Sequence, residues 1–497
     1  MNFNSLSFLV FFPIVLILYF VLPYKLRPFL LLIASYYFYM SWNPSLVFLI
    51  LITTVTSYFS GIVIDKFREK KALSRFCLVF TLAISLGILF FFKYFNFAAD
   101  TAVSLAGLFG ADISWTAINV ILPVGISFYT FQTLSYVIDV YRGTVKVEKS
   151  FWYYALFVSF FPQLVAGPIE RPENLVPQLH ERHKPDPEDL RAGLRLMAVG
   201  FFKKIVIADG VSAIVDSVYN SPQGANGLMV LIATMLFSVQ IYGDFSGYTD
   251  IAIGCSRMIG IRLMKNFDRP YTAQTVKEFW ARWHISLSSW FKDYLYIPLG
   301  GNRKGTARKL LNVFIVFLVS GIWHGAAMTF VIWGVLHGLY RVLEELLIPI
   351  FKKLSVRLGI NTDTPGLVLF RRIRTYLLVT FAWIFFRANS TSDLWLIVKK
   401  LFTDWSFNSL FFSESFDALG ITWLTVVRIV LSVVLLVYIH NVLPDNRYPV
   451  PAANKAEVKR SSMSSKLALV FVVLAVMLAW IMLLANDQIS SFIYFQF

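Results

Sequence analysis

The chain has 497 residues, of which 57% are hydrophobic and only 15% charged, and its mean hydropathy is +0.65. A soluble globular chain carries roughly 25% charged residues. This composition therefore excludes a soluble globular protein and indicates an integral membrane protein. The formal net charge of +16 comes from Lys and Arg in short clusters between apolar runs. That pattern is typical of cytoplasmic loops beside anionic lipid and argues against a nucleic-acid-binding surface.

The first apolar run, at residues 5–22, has no positive residue before it and no small-residue cleavage site after it. It is therefore predicted to be a retained anchor and not a signal peptide. The other apolar runs are near residues 28–42, 45–64, 76–92, 119–140, 150–166, 229–253, 310–340, 375–388, 424–442 and 466–486. We predict an all-α, polytopic integral membrane protein with about ten to twelve transmembrane or re-entrant helices plus amphipathic interfacial helices.

Basic clusters orient these runs in the membrane. KLR follows the first run and DKFREKK follows the third, so the positive-inside rule places the N-terminus outside. KAEVKR precedes the last run, which places the C-terminal tail outside too and gives an even number of crossings. The stretch from Glu170 to Arg195 mixes both signs, and its prolines between Pro177 and Pro187 argue against one continuous helix. It is interpreted as a cytoplasmic loop.

The segment from Glu278 to Leu299 alternates polar and aromatic side chains at helical spacing. Four polar side chains recur at spacings of four, three and four: Arg282, Ser286, Ser289 and Asp293. The opposing stripe is aromatic or apolar: Trp280, Trp283, Leu287, Trp290 and Tyr294. This pattern predicts one amphipathic helix along an interface or in a broken crossing, with His284 beside its aromatic stripe.

Metal-binding and disulfide chemistry are not indicated. His180 and His183 lie three residues apart in the charged stretch, but no fixed third ligand accompanies them. Cys77 and Cys255 lie far apart in largely apolar segments. We therefore predict no metal site and no disulfide framework.

His324 is the most informative of the six histidines. It lies in VSGIWHGAAMTFVIWG at residues 319–334, where almost nothing else can carry a proton. An ionisable residue in a membrane segment is costly unless it is paired or faces a cavity, and by default it indicates a functional site. The alternative is a neutral imidazole bonded to a backbone carbonyl, which is our interpretation of His337 and His440. Gly321 and Gly325 leave room for a ligand or another backbone beside the His324 ring.

The spacing of His324 and His337 shows whether they can lie on one helix face. They are thirteen residues apart, so on a continuous helix their side chains would point about 220° apart. They are therefore not expected to share one face.

Two carboxylates lie in the apolar stretch SVQIYGDFSGYTDIAIG at residues 238–254. Asp244 and Asp250 are six residues apart, so they point to different faces of a helix and cannot share one proton. With Gln240 and Tyr248 they provide polar groups inside the membrane, and both a tunnel lining and a structural polar cluster stay open. The sequence has no Gly-rich phosphate loop and no GxSxG motif, which disfavours an ATP-driven pump and a Ser-His-Asp hydrolase.

Five stretches together resemble the membrane-bound O-acyltransferase (MBOAT) family, and within it the bacterial branch of alginate and peptidoglycan O-acetylation proteins. They are ILPVGISFYTFQTLSYVIDVYRG at 121–143, FFPQLVAGPIERPENLVPQ at 160–178, YGDFSGYTDIAIG at 242–254, FWARWHISLSSWFKDYLYIPLGGNRKG at 279–305 and GIWHGA at 321–326. The resemblance implies a single membrane O-acyltransferase domain over residues 1–497. Its motif-bearing core is at about 121–340, with peripheral N-terminal helices at 1–95 and C-terminal helices at 370–490.

The resemblance also implies the site. The family's catalytic histidine falls on His324 and its second signature position on His284. The candidates for a substrate tunnel are Asp244, Tyr248, Gln240, Trp323, Arg282 and Ser286. An imidazole, with an ordinary pKa of about 6.5, suits a general base that takes the proton of an attacking hydroxyl.

The implied reaction is O-acetylation of an extracytoplasmic polysaccharide from cytoplasmic acetyl-coenzyme A, with no bound cofactor, at the cell membrane of a bacterium. The implied partners are acetyl-coenzyme A, the polysaccharide, membrane lipid and a separate extracytoplasmic SGNH-type acetyltransferase, since nothing in this chain resembles that domain. Two alternatives stay open. In the first, the chain is a family member that transfers D-alanine to teichoic acid. In the second, it is a proton-coupled transporter that uses the intramembrane His and Asp residues and needs no acyl donor.

Overall fold

The computed structural model describes residues 1–406, 408–442 and 492–493, and within these ranges the chain is largely helical. The first nine α-helices are α1 (Leu6–Val21), α2 (Arg27–Met40), α3 (Val47–Lys66), α4 (Lys71–Leu89), α5 (Phe95–Leu108), α6 (Ile126–Arg142), α7 (Phe151–Ser159), α8 (Pro172–His180) and α9 (Pro187–Phe201). The next ten are α10 (Asp209–Tyr219), α11 (Gly227–Met258), α12 (Val276–Arg282), α13 (Ile285–Phe291), α14 (Thr306–His324), α15 (Met328–Arg357), α16 (Pro365–Arg387), α17 (Thr391–Thr403), α18 (Ser409–Ala418) and α19 (Trp423–Val442).

Short irregular segments connect these helices. π-Helical turns cover Phe90–Tyr94, Phe202–Ala208 and Lys292–Tyr296. 3₁₀ turns cover Pro44–Leu46, Pro222–Gly224 and Pro270–Thr272. The strand-like pairing of the described residues is limited to one isolated antiparallel bridge between Phe267 and Trp283.

The all-α, polytopic prediction is confirmed. In the described part, four segments are long and apolar enough to cross a membrane: Pro44–Lys66, Lys71–Leu108, Gly227–Met258 and Thr306–His324. The bent pair Phe411–Ala418 and Trp423–Leu436, at 73°, adds a fifth if it forms one span.

These full-length spans are fewer than the predicted total of about ten to twelve crossings and re-entrant segments. Several apolar runs form helices that are too short to cross, such as α2 with 14 residues and α7 with 9. The predicted run at 466–486 and the tail beyond it lie outside the described residues, apart from 492–493.

The apolar run at 310–340 forms two helices and not one. Gly325 is extended, with φ −159° and ψ 153°, and this ends α14 at His324. α15 then packs antiparallel against α14, because Gly334 faces Phe317 and Gly321, and Gly338 faces Phe314. The premise that His324 and His337 share a continuous helix is therefore wrong.

The prediction of one amphipathic helix over Glu278–Leu299 is also wrong. His284 has a left-handed backbone, with φ 47°, and it separates α12 from α13. The break has a tertiary cause, because Asp268 N–H donates to the Arg282 carbonyl at 2.9 Å and Ile285 N–H donates to the Asn266 carbonyl at 3.0 Å.

The charged stretch from Glu170 to Arg195 was predicted not to form one continuous helix, and the structure confirms this. It is more ordered than a loop, however, because it contains α8 and the start of α9. Pro172 and Pro187 each occupy the first turn of a helix, where the missing N–H costs little. The Asp186 side chain caps α9 by accepting from Glu188 N–H at 2.9 Å.

The 32-residue helix α11 is buried along most of its length. Its glycines allow close approach of α9. A Cβ on Gly247 would lie 2.8 Å from the Gly200 carbonyl oxygen, and one on Gly254 would lie 2.6 Å from the Gly193 carbonyl oxygen. A helix that is buried along most of its length fits the centre of the protein, and it brings Phe245 against the candidate site described next.

Candidate active site

The turn between α14 and α15 holds His324 in a buried position. Its side chain is only 4% exposed. A Cβ on Gly321 would lie 2.4 Å from the Phe330 carbonyl oxygen and 2.9 Å from Gly334 Cα, so only glycine permits this backbone contact. A Cβ on Gly325 would overlap the Phe330 ring, at 2.1 Å. The room that these two glycines leave is thus filled by α15 and not by a ligand.

Lys93 contacts the end of α14 from a π-helical turn that lies between α4 and α5. Its ammonium donates to the Trp323 carbonyl at 2.8 Å and to the His324 carbonyl at 3.0 Å. A longer contact of 3.4 Å joins it to Ser127 Oγ. Lys93 and His324 are 231 residues apart in sequence, and the fold makes them direct neighbours.

A cavity of about 30 Å³ opens beside His324, with room for about one water molecule. Its polar lining residues are Lys93, Ser127 and His324. Its remaining walls come from the Leu122–Gly125 turn, Phe128, Val165 and Trp323, among others. The cavity therefore brings three polar residues together, and Lys93 Nζ bonds both the Ser127 hydroxyl and the His324 carbonyl there.

His284 lies on the other side of His324, with 6.5 Å between the two ring centroids. Its ring contacts Phe245 at 4.7 Å and Trp323 at 6.1 Å between centroids, and it is fully buried. Each of the two histidines therefore has the other imidazole and aromatic rings as neighbours. The structure therefore brings together the two histidines that sequence motifs selected.

Asn266 fixes the orientation of His284. The Asn266 side-chain oxygen accepts from Ser286 N–H at 3.3 Å and from Ser286 Oγ at 2.9 Å, and it lies 3.1 Å from His284 Nδ1. A backbone N–H can only donate, so the Asn266 atom in contact with it must be the oxygen. Nδ1 of His284 then carries the proton, which leaves the lone pair of this imidazole on Nε2.

His337 belongs to the same aromatic cluster although it lies on a different helix from His324. The Trp333 ring lies between them, at 5.1 Å from the His324 ring and 4.7 Å from the His337 ring. Trp280 Nε1–H donates to His337 Nδ1 at 3.3 Å. This bond fits the structural role assigned to His337 from the sequence.

Asp244 and Asp250 form buried ion pairs with two lysines of the preceding π-helical turn. Lys204 donates to Asp244 at 2.8 Å, and Lys203 donates to Asp250 at 2.6 Å. Asp244 also accepts from the Ile493 N–H at 2.8 Å. These contacts favour the structural polar cluster, which was one of the two interpretations left open.

The other tunnel candidates occupy separate places. Tyr248 packs on Phe3 with ring centroids 4.5 Å apart, and Gln240 is buried in α11. Arg282 pairs with Glu278 at 2.6 Å at the partly exposed edge of α12. None of these three, nor Asp244, lines the cavity beside His324, whereas Trp323 does. Ser286 joins the site through Asn266.

The loop histidines lie away from this cluster. His180 Nε2 lies 2.7 Å from a carboxylate oxygen of Glu148, and its ring stacks on Tyr153 at 3.8 Å. His183 Nε2 lies 2.8 Å from the Gln178 carbonyl. Among the described residues, no group of three or more His, Cys, Asp or Glu side chains is placed to hold a metal ion. The side chain of His440 lies outside what the structure describes.

Known proteins were compared with the chain. The model of the membrane-bound O-acyltransferase family matches residues 147–376. The probable alginate O-acetylase of Pseudomonas aeruginosa is 37% identical over 465 residues, or 92% of this chain and 86% of the relative. The peptidoglycan O-acetyltransferase of Helicobacter pylori is 32% identical over 401 residues, or 75% of this chain and 73% of the relative. The teichoic acid D-alanyltransferase of Bacillus subtilis is 29% identical over 232 residues, or 44% of this chain and 58% of the relative.

This chain belongs to the membrane-bound O-acyltransferase family. It is therefore an O-acyltransferase and a multi-pass membrane protein, which confirms the enzyme class that the sequence motifs indicated. Both candidate catalytic histidines, His324 and His284, lie within the part that the family model matches. Their roles stay predictions.

Sequence reasoning missed two residues of this candidate site. Lys93 is the single charged residue between Arg75 and Asp100, so the argument applied to intramembrane histidines would also have selected it. Asn266 carries no comparable signal. It lies 18 residues before His284 in an irregular segment, and only the fold brings the two together.

Proposed function

We propose that this chain moves an acetyl group from cytoplasmic acetyl-coenzyme A across the bacterial inner membrane for O-acetylation of an extracytoplasmic polysaccharide. The observation that carries the proposal is the pairing of His324 with His284, 6.5 Å apart between ring centroids, beside a small polar cavity in an aromatic surrounding. The relatives named for alginate and peptidoglycan O-acetylation, which share most of the chain, support acetyl transfer to a polysaccharide.

The reaction needs a base and a held acceptor. The acceptor hydroxyl oxygen attacks the thioester carbonyl carbon while the His324 imidazole takes the hydroxyl proton. The carbon–sulfur bond then breaks, and the leaving thiolate takes the proton from the His324 imidazolium, which gives free thiol and restores the base. A positioned base contributes typically 10²–10⁴-fold to such a step. His284 presents its Nε2 lone pair because Asn266 holds the Nδ1 proton, and it orients the acceptor hydroxyl.

Helix geometry supports a direction for this transfer. α4 starts at Lys71 beside the basic DKFREKK cluster, and Lys93 follows 22 residues later, a helical rise of about 33 Å. α14 starts at Thr306 beside the basic NRKG stretch, and His324 follows 18 residues later, a rise of about 27 Å. A bilayer core is about 30 Å thick. Basic clusters favour the cytoplasm, so His324 and Lys93 would lie near the opposite, outer end of their spans.

This geometry favours a conduit. The charged head of coenzyme A cannot cross the bilayer core, so it would stay on the cytoplasmic side while its thioester-bearing arm extends into the protein toward His324, and only the acetyl group would leave outward. A separate extracytoplasmic SGNH-type acetyltransferase would complete the transfer to the polymer. D-alanyl transfer is less favoured, because the D-alanyltransferase relative matches less than half of this chain.

The test is His324→Ala in cells that make the acetylated polymer. We expect ester-linked acetate on the extracted polysaccharide to fall to background, while protein level and membrane insertion stay near wild type. His180→Ala and His183→Ala are matched controls, because both imidazoles lie in the charged segment away from the cluster. Substantial acetate from the His324 variant would remove His324 from the role of base.

A further inference from the structure

Lys93 is a cation that the mechanism above leaves without a role. It interrupts the apolar sequence GILFFFKYFNF, and no other charged residue lies between Arg75 and Asp100. Placing an ammonium within a membrane span costs several kcal/mol by most scales, so such residues are retained for a reason. Within residues 1–406, 408–442 and 492–493, no carboxylate lies within ion-pair distance of Lys93. Its partners are neutral oxygens.

The end of α14 explains where this cation lies. The last four carbonyls of an α-helix have no partner within the helix, and in a membrane they cannot rely on bulk water. The Gly321 carbonyl accepts from Gly325 N–H at 3.5 Å. The last two carbonyls, of Trp323 and His324, accept from Lys93, and Tyr94 OH adds a bond of 3.3 Å to the Trp323 carbonyl.

The charge of Lys93 also matches the charge of the helix end. The macrodipole of α14 places about half a negative charge at its C-terminus, which is the residue His324 itself. The ammonium therefore lies where a cation is stabilised in the absence of a carboxylate. The π-helical turn Phe90–Tyr94 sets this position, and such turns are frequent at functional sites.

We propose that Lys93 is a positioning residue for His324. By bonding the last two carbonyls of α14, the ammonium fixes the peptide groups that carry the imidazole, and the ring is held toward His284 and the cavity. Because His324 is the final residue of its helix, these bonds replace the helical contacts that a mid-helix histidine would have. The inference rests on the proposed role of His324 as base and deepens it.

The test compares Lys93→Arg, Lys93→Met and Lys93→Ala in purified protein, with kcat and the KM for acetyl-coenzyme A measured per folded protein. A misplacement of about 1 Å costs roughly 10²-fold in rate, so we expect Lys93→Met to lose about 10²-fold in kcat with KM nearly unchanged. Lys93→Arg keeps the cation and should recover much of that loss. Phe91→Leu, in the same π-helical turn but facing outward, should match wild type.

Chemical rescue separates positioning from mere structural support. Lys93→Ala removes three methylenes and the ammonium beside the cavity, and propylammonium replaces those atoms. We expect added propylammonium to raise the kcat of Lys93→Ala at least several-fold, while propanol, of similar size but neutral, has no effect. A Lys93→Met enzyme with wild-type kcat would overturn the inference, as would a loss that neither Arg nor propylammonium recovers.

The two proposals can fail separately. If His324→Ala is inactive while Lys93→Met is fully active, the inference about Lys93 is wrong and the proposed function stands. If His324→Ala keeps activity, the proposed base is wrong whatever the Lys93 variants do.

Discussion

At the scale of single residues, the site depends on side chains that hold the histidines as well as on the histidines. His284 has a left-handed backbone, which costs a non-glycine residue roughly 1–2 kcal/mol. Asn266 ties this strained turn together, because its side-chain oxygen is shared by His284 and Ser286. The strain is thus maintained by an amide that lies outside every recognised motif.

Asn266→Ala should lower acyl transfer more than it lowers the amount of folded protein. The change removes the acceptor that keeps the proton on His284 Nδ1, so the imidazole is free to adopt the other tautomer. By analogy with the loss of partners that orient metal-binding histidines, we expect a loss of about 10–100-fold in the rate of acetyl transfer. The matched control is Ser286→Ala, which removes the hydroxyl bond to the same oxygen and the acceptor of Ile169 N–H but leaves the bond between Asn266 and His284, so it should cost less in rate. Equal activity of the Asn266 variant and wild type would refute this role.

At the scale of helices, the sequence predicted their type better than their ends. The apolar runs at 5–22 and 45–64 became α1 and α3 with ends within a few residues of those predicted. The breaks after His324 and at His284 were missed, because apolar periodicity continues through both points. Contacts with Asn266 and Asp268 decide the break at His284, and the extended Gly325 with close packing of α15 on α14 decides the break after His324. Neither is encoded in the apolar pattern.

Gly321→Ala should disable the enzyme by moving a helix. The added methyl would meet the Phe330 carbonyl oxygen at 2.4 Å, and that backbone can yield only if α14 and α15 separate. His324 is three residues further along α14, so a shift of about 1 Å there should cost roughly 10²-fold in rate.

Gly87→Ala is the matched control for this change. Gly87 lies in α4, also within a membrane span, and nothing lies within 4 Å of a Cβ at that position. It should retain wild-type rate. If Gly321→Ala also retained it, the close contact of α14 and α15 would not position the base.

Glu170 makes the stability of the folded protein depend on pH. It is buried, and it accepts from Met264 N–H and from Asn174 Nδ2, so it holds the segment that carries Asn266. Burial raises the pKa of the Glu170 carboxyl from 4.5 to about 7. Because the folded-state pKa is the higher one, its stabilising contribution is complete below the unfolded value and is lost as the pH rises through about 7.

Wild-type protein in detergent should therefore lose thermal stability between about pH 4.5 and pH 7, by a few degrees in melting temperature. Glu170→Gln cannot ionise, so its melting temperature should change less over the same range. Melting curves at matched pH values measure both. Parallel profiles for the two proteins would show that Glu170 does not contribute this dependence.

At the scale of the whole molecule, charged residues occur at two levels: the first is buried ion pairs inside the bundle, and the second is basic clusters at the ends of the spans. Buried lysine–aspartate pairs such as Lys204–Asp244 join α11 to the turn before α10, inside the bundle. The excess positive charge lies in clusters such as DKFREKK, at one end of the spans. The sequence predicted the second level through the positive-inside rule. It could not predict the first, since the lysines and aspartates that pair are 40 and 47 residues apart.

The proposed function depends on vectorial transfer of the acetyl group past His324, and one measurement detects such transfer. Purified protein is placed in vesicles with a single orientation, and acetyl-coenzyme A labelled in the acetyl group is supplied on the face that carries DKFREKK. We predict free thiol on that face and labelled acceptor on the opposite face, with neither product in His324→Ala. Equally fast labelling with donor on either face, or solute flux without any acyl donor, would contradict the account.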